Sequence, residues 1–339
     1  VMHDFLFALD PRDDERLRDV LVQSRASHRS SLVGNGVSIA QRHAARTLSP
    51  ECYLSELTGG IPQIRMIFDL ADHYGERREA VISRLEAIRN FMLNSARMTL
   101  SFTGTDTKYP EVRSTLDRWA EEMGRHSLED RALPFKPAEG ERREGLAAPM
   151  EVAFCTQVIP APHTSHPDTA LLSVAGQILS LDYLMEEVRV KGGAYGGRCG
   201  HDGLDKTWRF YSYRDPWVNR TLDVFKNTID YVHRAVWSQA DIDRAIIGTA
   251  KSGERPVRPE EATGVALSRY LLGDTPELRE ERHAAILRAT PAETRRAVLD
   301  LLEANMSKGG ICVVSSQEKL RNANTERPDE ALTIEDILQ

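Results

Sequence analysis

The chain has 339 residues, 41% hydrophobic and 28% charged, the composition of a globular protein with room for two domains. Its net charge of -7 argues against nucleic acid or an anionic membrane as the main partner. Charges also interrupt every apolar run before the roughly 18 residues of a membrane span.

The start, Val-Met-His-Asp-Phe, lacks the basic flank and cleavage site of a signal peptide, and reads as a strand cut from something longer. His3 to Leu9 is apolar enough for that strand. Residues 13–46 read as mostly helical, with Leu17, Val20, Leu21, Leu32, Ile39 and Ala40 inward and a break at Gly34-Asn35-Gly36. Ser49 before Pro50 is a predicted helix N-cap. Further helices follow over 61–73 and 81–93, then a strand over 97–103 and an amphipathic helix over 109–123. Residues 125–149, with Pro134, Pro137, Pro149 and a charged run from Glu139 to Glu144, lose all periodicity and read as a linker. Domains are therefore expected over 1–124 and 150–339. Each runs strand, helices, strand, which suits two copies of one α+β module built on a mainly antiparallel sheet.

In the second half, Val152 to Val158 reads as a strand. A helix introduced by Ser165 then carries Leu171, Leu172, Val174, Ile178, Leu179 and Met185 on its apolar face, and stops at Gly192-Gly193. Alternation takes over next, with Gly193, Tyr195, Gly197 and Cys199 predicted on one face, and Thr207 to Tyr213 is the partner strand of a hairpin. Ser238 with Asp241 and Thr290 with Glu293 look like capping boxes, Gly309 to Ser315 like a buried strand, and the polar tail beyond Ser316 is expected to be partly mobile.

Glycines so dense in a strand weaken it unless a backbone or ligand must come close. Arg189 at the helix end and Tyr195 on the strand place a fixed cation and a phenolic donor near that glycine-lined surface, a pair suited to an oxygen that becomes negative in a reaction. A plainer reading has Arg189 capping the helix, Tyr195 half-buried and the glycines merely turning the chain.

Other constellations carry less. His73-Tyr-Gly-Glu76 and His126-Ser-Leu-Glu129 are lone H-x-x-E strings that read as surface residues, and His163 with His166 reads as a loop before a helix. Gly192 to Cys199 lacks the Lys and Ser/Thr of a phosphate loop. Cys52, Cys155, Cys199 and Cys312 form no C-x-x-C pair, so reduced buried thiols in a cytosol-like compartment are expected. Strand alternation over 206–214 puts Arg209 with Tyr211 and Tyr213 and leaves Lys206 and Arg214 on the opposite face, against an RNA-binding stripe.

The run Arg189-Val-Lys-Gly-Gly-Ala-Tyr195-Gly-Gly, followed by Phe210-Tyr-Ser-Tyr-Arg-Asp-Pro216, resembles the C-terminal half of the presequence-protease branch of the pitrilysin/insulinase zinc metallopeptidases, peptidase family M16. Ala44-Ala-Arg46-Thr-Leu-Ser-Pro50 and Leu57-Thr-Gly-Gly60 resemble the associated region that precedes the last module there. The resemblance implies a pitrilysin-like α+β fold with one partial and one complete module. Zinc would be held by an H-x-x-E-H helix in an N-terminal half that this chain lacks, and that half and unstructured peptides would be its partners. It implies that Arg189 and Tyr195 reach towards the zinc centre and that Gly192, Gly193, Ala194 and Gly196 line the substrate surface. Alone, the chain would be inactive. A non-catalytic peptide-binding or scaffold subunit of the same fold is the alternative.

Overall fold

The computed structural model describes residues 3–128, 132–137, 142–253 and 256–338. These pack as two compact units that do not follow chain order. One comprises Val1–Ser27, Ile67–Leu133 and Pro256–Pro276; the other comprises His28–Met66, Pro134–Arg255 and Glu277–Gln339.

The first unit is built from helices. Asp14 at the start of helix Asp14–Ser31 accepts from Tyr74 Oη at 2.7 Å and Arg78 Nε at 2.5 Å, both on helix Tyr74–Met92. The amphipathic segment 109–123 forms helix Tyr109–Met123, as its periodicity predicts. Two expected strands are not strands. His3 to Leu9 contains instead a helical turn over Asp4–Ala8, because a run of five apolar or small residues does not by itself distinguish the two periods. Arg97 closes a short helical turn, Ser95–Arg97, and residues 98–103 pair with no strand among the described residues. Among the described residues before Arg142 there is thus no strand, and the first half lacks the strand-helices-strand order expected of it.

The second unit holds a six-stranded sheet: β1 (Arg142–Ala147), β2 (Phe154–Pro160), β3 (Gly196–Asp202), β4 (Thr207–Tyr213), β5 (Gly310–Ser315) and β6 (Thr333–Asp336), in the order β3-β4-β2-β5-β1-β6. The first three pairings in that order are antiparallel, and β1 runs parallel to both β5 and β6. With helices on both faces this is the α+β class expected. Helix Gly36–Ala45 packs on β2 and β5 so closely that a side chain at Gly36 would meet the Phe154 ring at 2.4 Å, and one at Gly310 the Ala44 carbonyl at 2.2 Å. That contact is why 28–66 belong with the sheet rather than with the residues that follow them. On the opposite face lie helix Thr169–Ile178 and its continuation, covering Trp208 and Phe210, both fully buried.

Two segments read as unstructured are structured. Part of the expected linker, Arg142–Ala147, is β1; the charged residues that hid it are engaged, with Glu144 bound to Arg46 and Arg143 Nε donating to the Glu330 carbonyl at 3.0 Å. Residues 139–141 of that run lie outside the described residues. The tail expected to be mobile forms helix Gln317–Glu326, capped by Ser316, and then β6. Buried Leu320, Ala323, Leu332 and Ile337 anchor it, and Asn324 exchanges two 2.8 Å bonds with the backbone of Leu332. The predicted caps form at Ser49, which accepts from Cys52 N–H at 3.1 Å, at Ser238 with Asp241, and at Thr290 with Glu293.

Candidate functional site

Helix Thr169–Ile178 does not end where its sequence pattern changes. It widens into π-helical spacing over Leu179–Val190, closed by Lys191 N–H reaching the Glu186 carbonyl at 2.9 Å, five residues back. Such spacing is rare and concentrates near functional sites. Glycine then reverses the chain. Gly193 adopts φ +78°, the left-handed region, and donates to the Arg189 carbonyl at 2.8 Å; Ala194 N–H returns to Val188 at 3.1 Å. A side chain at Gly192 would lie 2.4 Å from the Val188 carbonyl, and one at Gly197 2.8 Å from Val188 Cβ. These three glycines are therefore required by the turn itself.

The strand begins with a bulge. Gly196 is the register partner of Tyr213, yet Tyr195 N–H also bonds the Tyr213 carbonyl at 3.0 Å, so two residues oppose one. This corrects the predicted alternation: Gly197 and Cys199 face the core, whereas Tyr195 is 70% exposed. Register places Gly196, Arg198 and Gly200 on the face of Tyr213, Tyr211 and Arg209. An added Cβ at Gly196 meets nothing within 4 Å, which sets it apart from the glycines of the turn.

Arg189 is exposed, and among the described residues its guanidinium forms no ion pair and caps no carbonyl; its one polar contact is Met185 Sδ at 4.0 Å. Tyr195 lies edge-on to Tyr213 with centroids 6.4 Å apart. The two candidate groups thus stand in solvent at either end of one rigid turn. Of the four residues expected to line a substrate surface, Gly193 and Gly196 reach the surface. Gly192 and Ala194 are buried, and their backbones are committed to the turn.

Two neighbours were not singled out as site residues in the sequence: Trp217, and Arg214, which was read only within the family run and the basic stretch of 206–214. Trp217 Nε1 donates to the Gly192 carbonyl at 2.9 Å, and Trp217 N–H donates to Asp215 Oδ1 at 2.9 Å. Asp215 is fully buried. Burial raises its carboxyl above the ordinary range, against the bonds it accepts from the Trp217 N–H and Thr221 hydroxyl. The second neighbour, Arg214, has a left-handed backbone, φ +50°. Arg214, Asp215 and Pro216 stand in the run that resembles the family, but nothing in the sequence sets Arg214 or the adjacent Trp217 apart as a neighbour of the turn.

The remaining candidates sit as surface or loop residues. His73, in the turn between two helices, binds Asp69 near the end of the first, Glu129 lies outside the described residues, and His163 and His166 make loop contacts with Ser165 and the Asp168 N–H. All four cysteines are free and buried. Among the described residues no group of three or more His, Cys, Asp or Glu is placed to hold a metal. The one buried His-carboxylate set does not fit zinc: His43 Nδ1 is 2.8 Å from Glu56 Oε1, and the Glu144 carboxylate is occupied by the Arg46 guanidinium at 2.7 and 2.6 Å. No described helix is long and apolar enough to cross a membrane.

Residues 165–317 match the family model described as the PreP C-terminal domain, and residues 1–70 match the one described as the associated region of M16 peptidases, subfamily C. A mitochondrial presequence protease of Danio rerio is 27% identical over 316 residues, 85% of this chain and 30% of that protein. Presequence protease 1 of Arabidopsis thaliana, chloroplastic/mitochondrial by name, is 27% identical over 324 residues, covering 93% and 29% respectively. This chain therefore spans about a third of the length of the curated relatives it matches. In three dimensions it is similar to pitrilysin, with a TM-score of 0.57 at 14% identity, over 95% of this chain and 33% of that one. The chain belongs to the M16 peptidase family and corresponds to the C-terminal part of its presequence-protease branch.

Proposed function

We propose that this chain is the C-terminal part of a zinc-dependent endopeptidase that degrades unstructured peptides, and that it supplies chamber wall and transition-state contacts rather than the metal. The observation that carries this reading is the pairing of two solvent-facing polar groups, Arg189 and Tyr195, with a turn whose backbone is fixed by Gly192, Gly193 and Trp217. Holding donors on a rigid element while leaving them unpaired is what stabilisation of a developing charge requires, since no reorganisation is then needed at the moment of reaction.

In this reading, the Tyr195 hydroxyl and the Arg189 guanidinium donate to the oxygen of the scissile carbonyl as it gains negative charge. Gly193 and Gly196 leave room for the peptide backbone beside them. In the same reading zinc and the general base, which would activate water, come from polypeptide outside these 339 residues, since the chain spans only about a third of the length of the relatives it matches. The names of the relatives, mitochondrial and chloroplastic/mitochondrial, support an organelle as the compartment.

The test is a quenched fluorogenic peptide. The 339-residue chain alone, with zinc present, should cleave nothing. In the full-length enzyme Tyr195→Phe or Arg189→Lys should lower kcat by about 10²- to 10³-fold while zinc content stays at wild type. Cleavage by the chain alone overturns the division of labour, and unchanged kinetics in both variants removes the pair from the chemistry.

A further inference from the structure

Besides Arg214, the only described non-glycine residue in the left-handed region is Lys206, which sits in the hairpin turn between β3 and β4, where such a backbone is ordinary. Arg214 does not sit in a turn of that kind. Tyr213 before it is locked in the β3-β4 ladder, and Asp215 after it exchanges two 2.8 Å backbone bonds with Ala153. Pinned on both sides, position 214 is forced to φ +50°, a conformation in which glycine or asparagine is the usual occupant. Arginine there is unfavourable for the backbone, so its side chain is the place to look for a reason.

That side chain lies over two rings. The Arg214 guanidinium carbon is 5.8 Å from the centroid of Tyr195 and 5.7 Å from that of Tyr213, and among the described residues it has no carboxylate partner. Tyr213 in turn meets the fully buried Phe154 edge-on at 5.4 Å. A chain of rings therefore leads from the sheet core through Tyr213 to Tyr195, and the Arg214 cation closes its outer end. Without it an exposed tyrosine at a bulge would keep its χ1 freedom.

We propose that Arg214 is a positioning residue, whose guanidinium clamps the Tyr195 ring against Tyr213 and so aims the phenol, at a cost in backbone strain. The proposal rests on the role given to Tyr195 above. Arg214 itself touches neither substrate nor metal in this scheme.

The experiment is a kinetic cycle in the full-length enzyme, with thermal unfolding of the 339-residue chain beside it. Arg214→Gly removes the cation and relieves the φ strain. It should lower kcat by about ten- to a hundredfold with KM changed less than about threefold, and the thermal midpoint should not fall. Arg214→Lys, which keeps the charge but not the planar stack, should recover part of kcat. In a Tyr195→Phe background Arg214→Gly should cost less than about twofold more, because no hydroxyl is left to aim. An equal loss in both backgrounds overturns the proposal, as does a lower midpoint or an unchanged kcat. If Tyr195→Phe alone leaves kcat unchanged, the site reading fails first, an outcome distinct from failure of the clamp.

Discussion

Two regions of this molecule concentrate charge and glycine, and both lie in stretches that resemble the M16 family, yet they are built in opposite ways. At the foot of helix Gly36–Ala45, His43 and Glu56 are buried, 6% and 2% exposed, and bonded to each other at 2.8 Å. Glu144 of β1 takes a two-pronged grip from Arg46, a further bond from Arg142 at 2.8 Å and an ion-pair contact from His43 Nε2 at 3.6 Å. Gly60 is glycine because a side chain would land 1.9 Å from Glu56 Oε2. Every charge in this knot answers another, and it fastens two helices to a strand about a hundred residues away in sequence. Around the Gly192-Gly193 turn the backbone is equally constrained, but Arg189, Arg214 and Tyr195 face solvent with no opposite charge among the described residues. A family motif therefore has two distinct physical settings, and burial with mutual pairing separates the one that fastens the fold from the one whose polar groups are left facing solvent.

The largest effect that could break this contrast is expected in the knot. Arg46→Ala leaves Glu144 partly buried beside His43 without its guanidinium, and should destabilise the chain by about 2–4 kcal/mol. Chemical denaturation would show it as a lower midpoint at unchanged slope. A loss below about 1 kcal/mol would mean that the knot is surface electrostatics and that the contrast is false.

A smaller effect concerns pH. Burial opposes a charge on His43, but contacts to Glu144 and Glu56 outweigh it and raise its pKa above the ordinary imidazole value. Doubly protonated, the ring also gives Nε2, otherwise unpartnered, a use against Glu144. Because the folded value is the higher one, the stability from this group is complete below the unfolded value of 6.5 and is lost as pH rises through the folded value. Glu144 behaves inversely. Burial works against its charge, His43 and Arg46 hold its pKa far below the usual carboxylate range, and its contribution disappears as pH falls below the ordinary 4.5. Unfolding free energy should thus decline as pH rises above 6.5 and through the raised folded value, and His43→Gln should flatten that decline. An identical slope in the variant would show that the fold gains nothing from a charge on His43.

How far the sequence revealed these regions depends on whether the cause was local. Helix 109–123, the hairpin around His201 and the caps at Ser49 and Thr290 follow from residues within a few positions of one another, and they were legible. Strand β1 was not, since Arg142-Arg143-Glu144 reads as a solvated run until Arg46 and Glu330 are brought against it. The same holds for Tyr195. Its alternation with Gly197 is a sound local expectation, and the bulge that overturns it comes from the far side of the hairpin, at Tyr213. Arg189 and Tyr195 were singled out by chemistry and resemblance, whereas Arg214 could not be, because a left-handed arginine has no signature in sequence.

The smallest expected effect is also the sharpest, because it is a null on one axis. Gly196 alone among the glycines from Gly192 to Gly197 combines an ordinary φ with open space where a Cβ would go. Gly196→Ala should therefore leave unfolding free energy within about 0.5 kcal/mol of wild type, or raise it slightly by restricting the unfolded chain. If the peptide backbone passes over this face, the same methyl should raise KM in the full-length enzyme several-fold. Gly192→Ala, whose methyl would meet the Val188 carbonyl, should instead destabilise before it says anything about substrate. A Gly196→Ala variant with unaltered stability and unaltered KM would show the open face to be unused, leaving Arg189 and Tyr195 to act without a glycine-lined surface beside them.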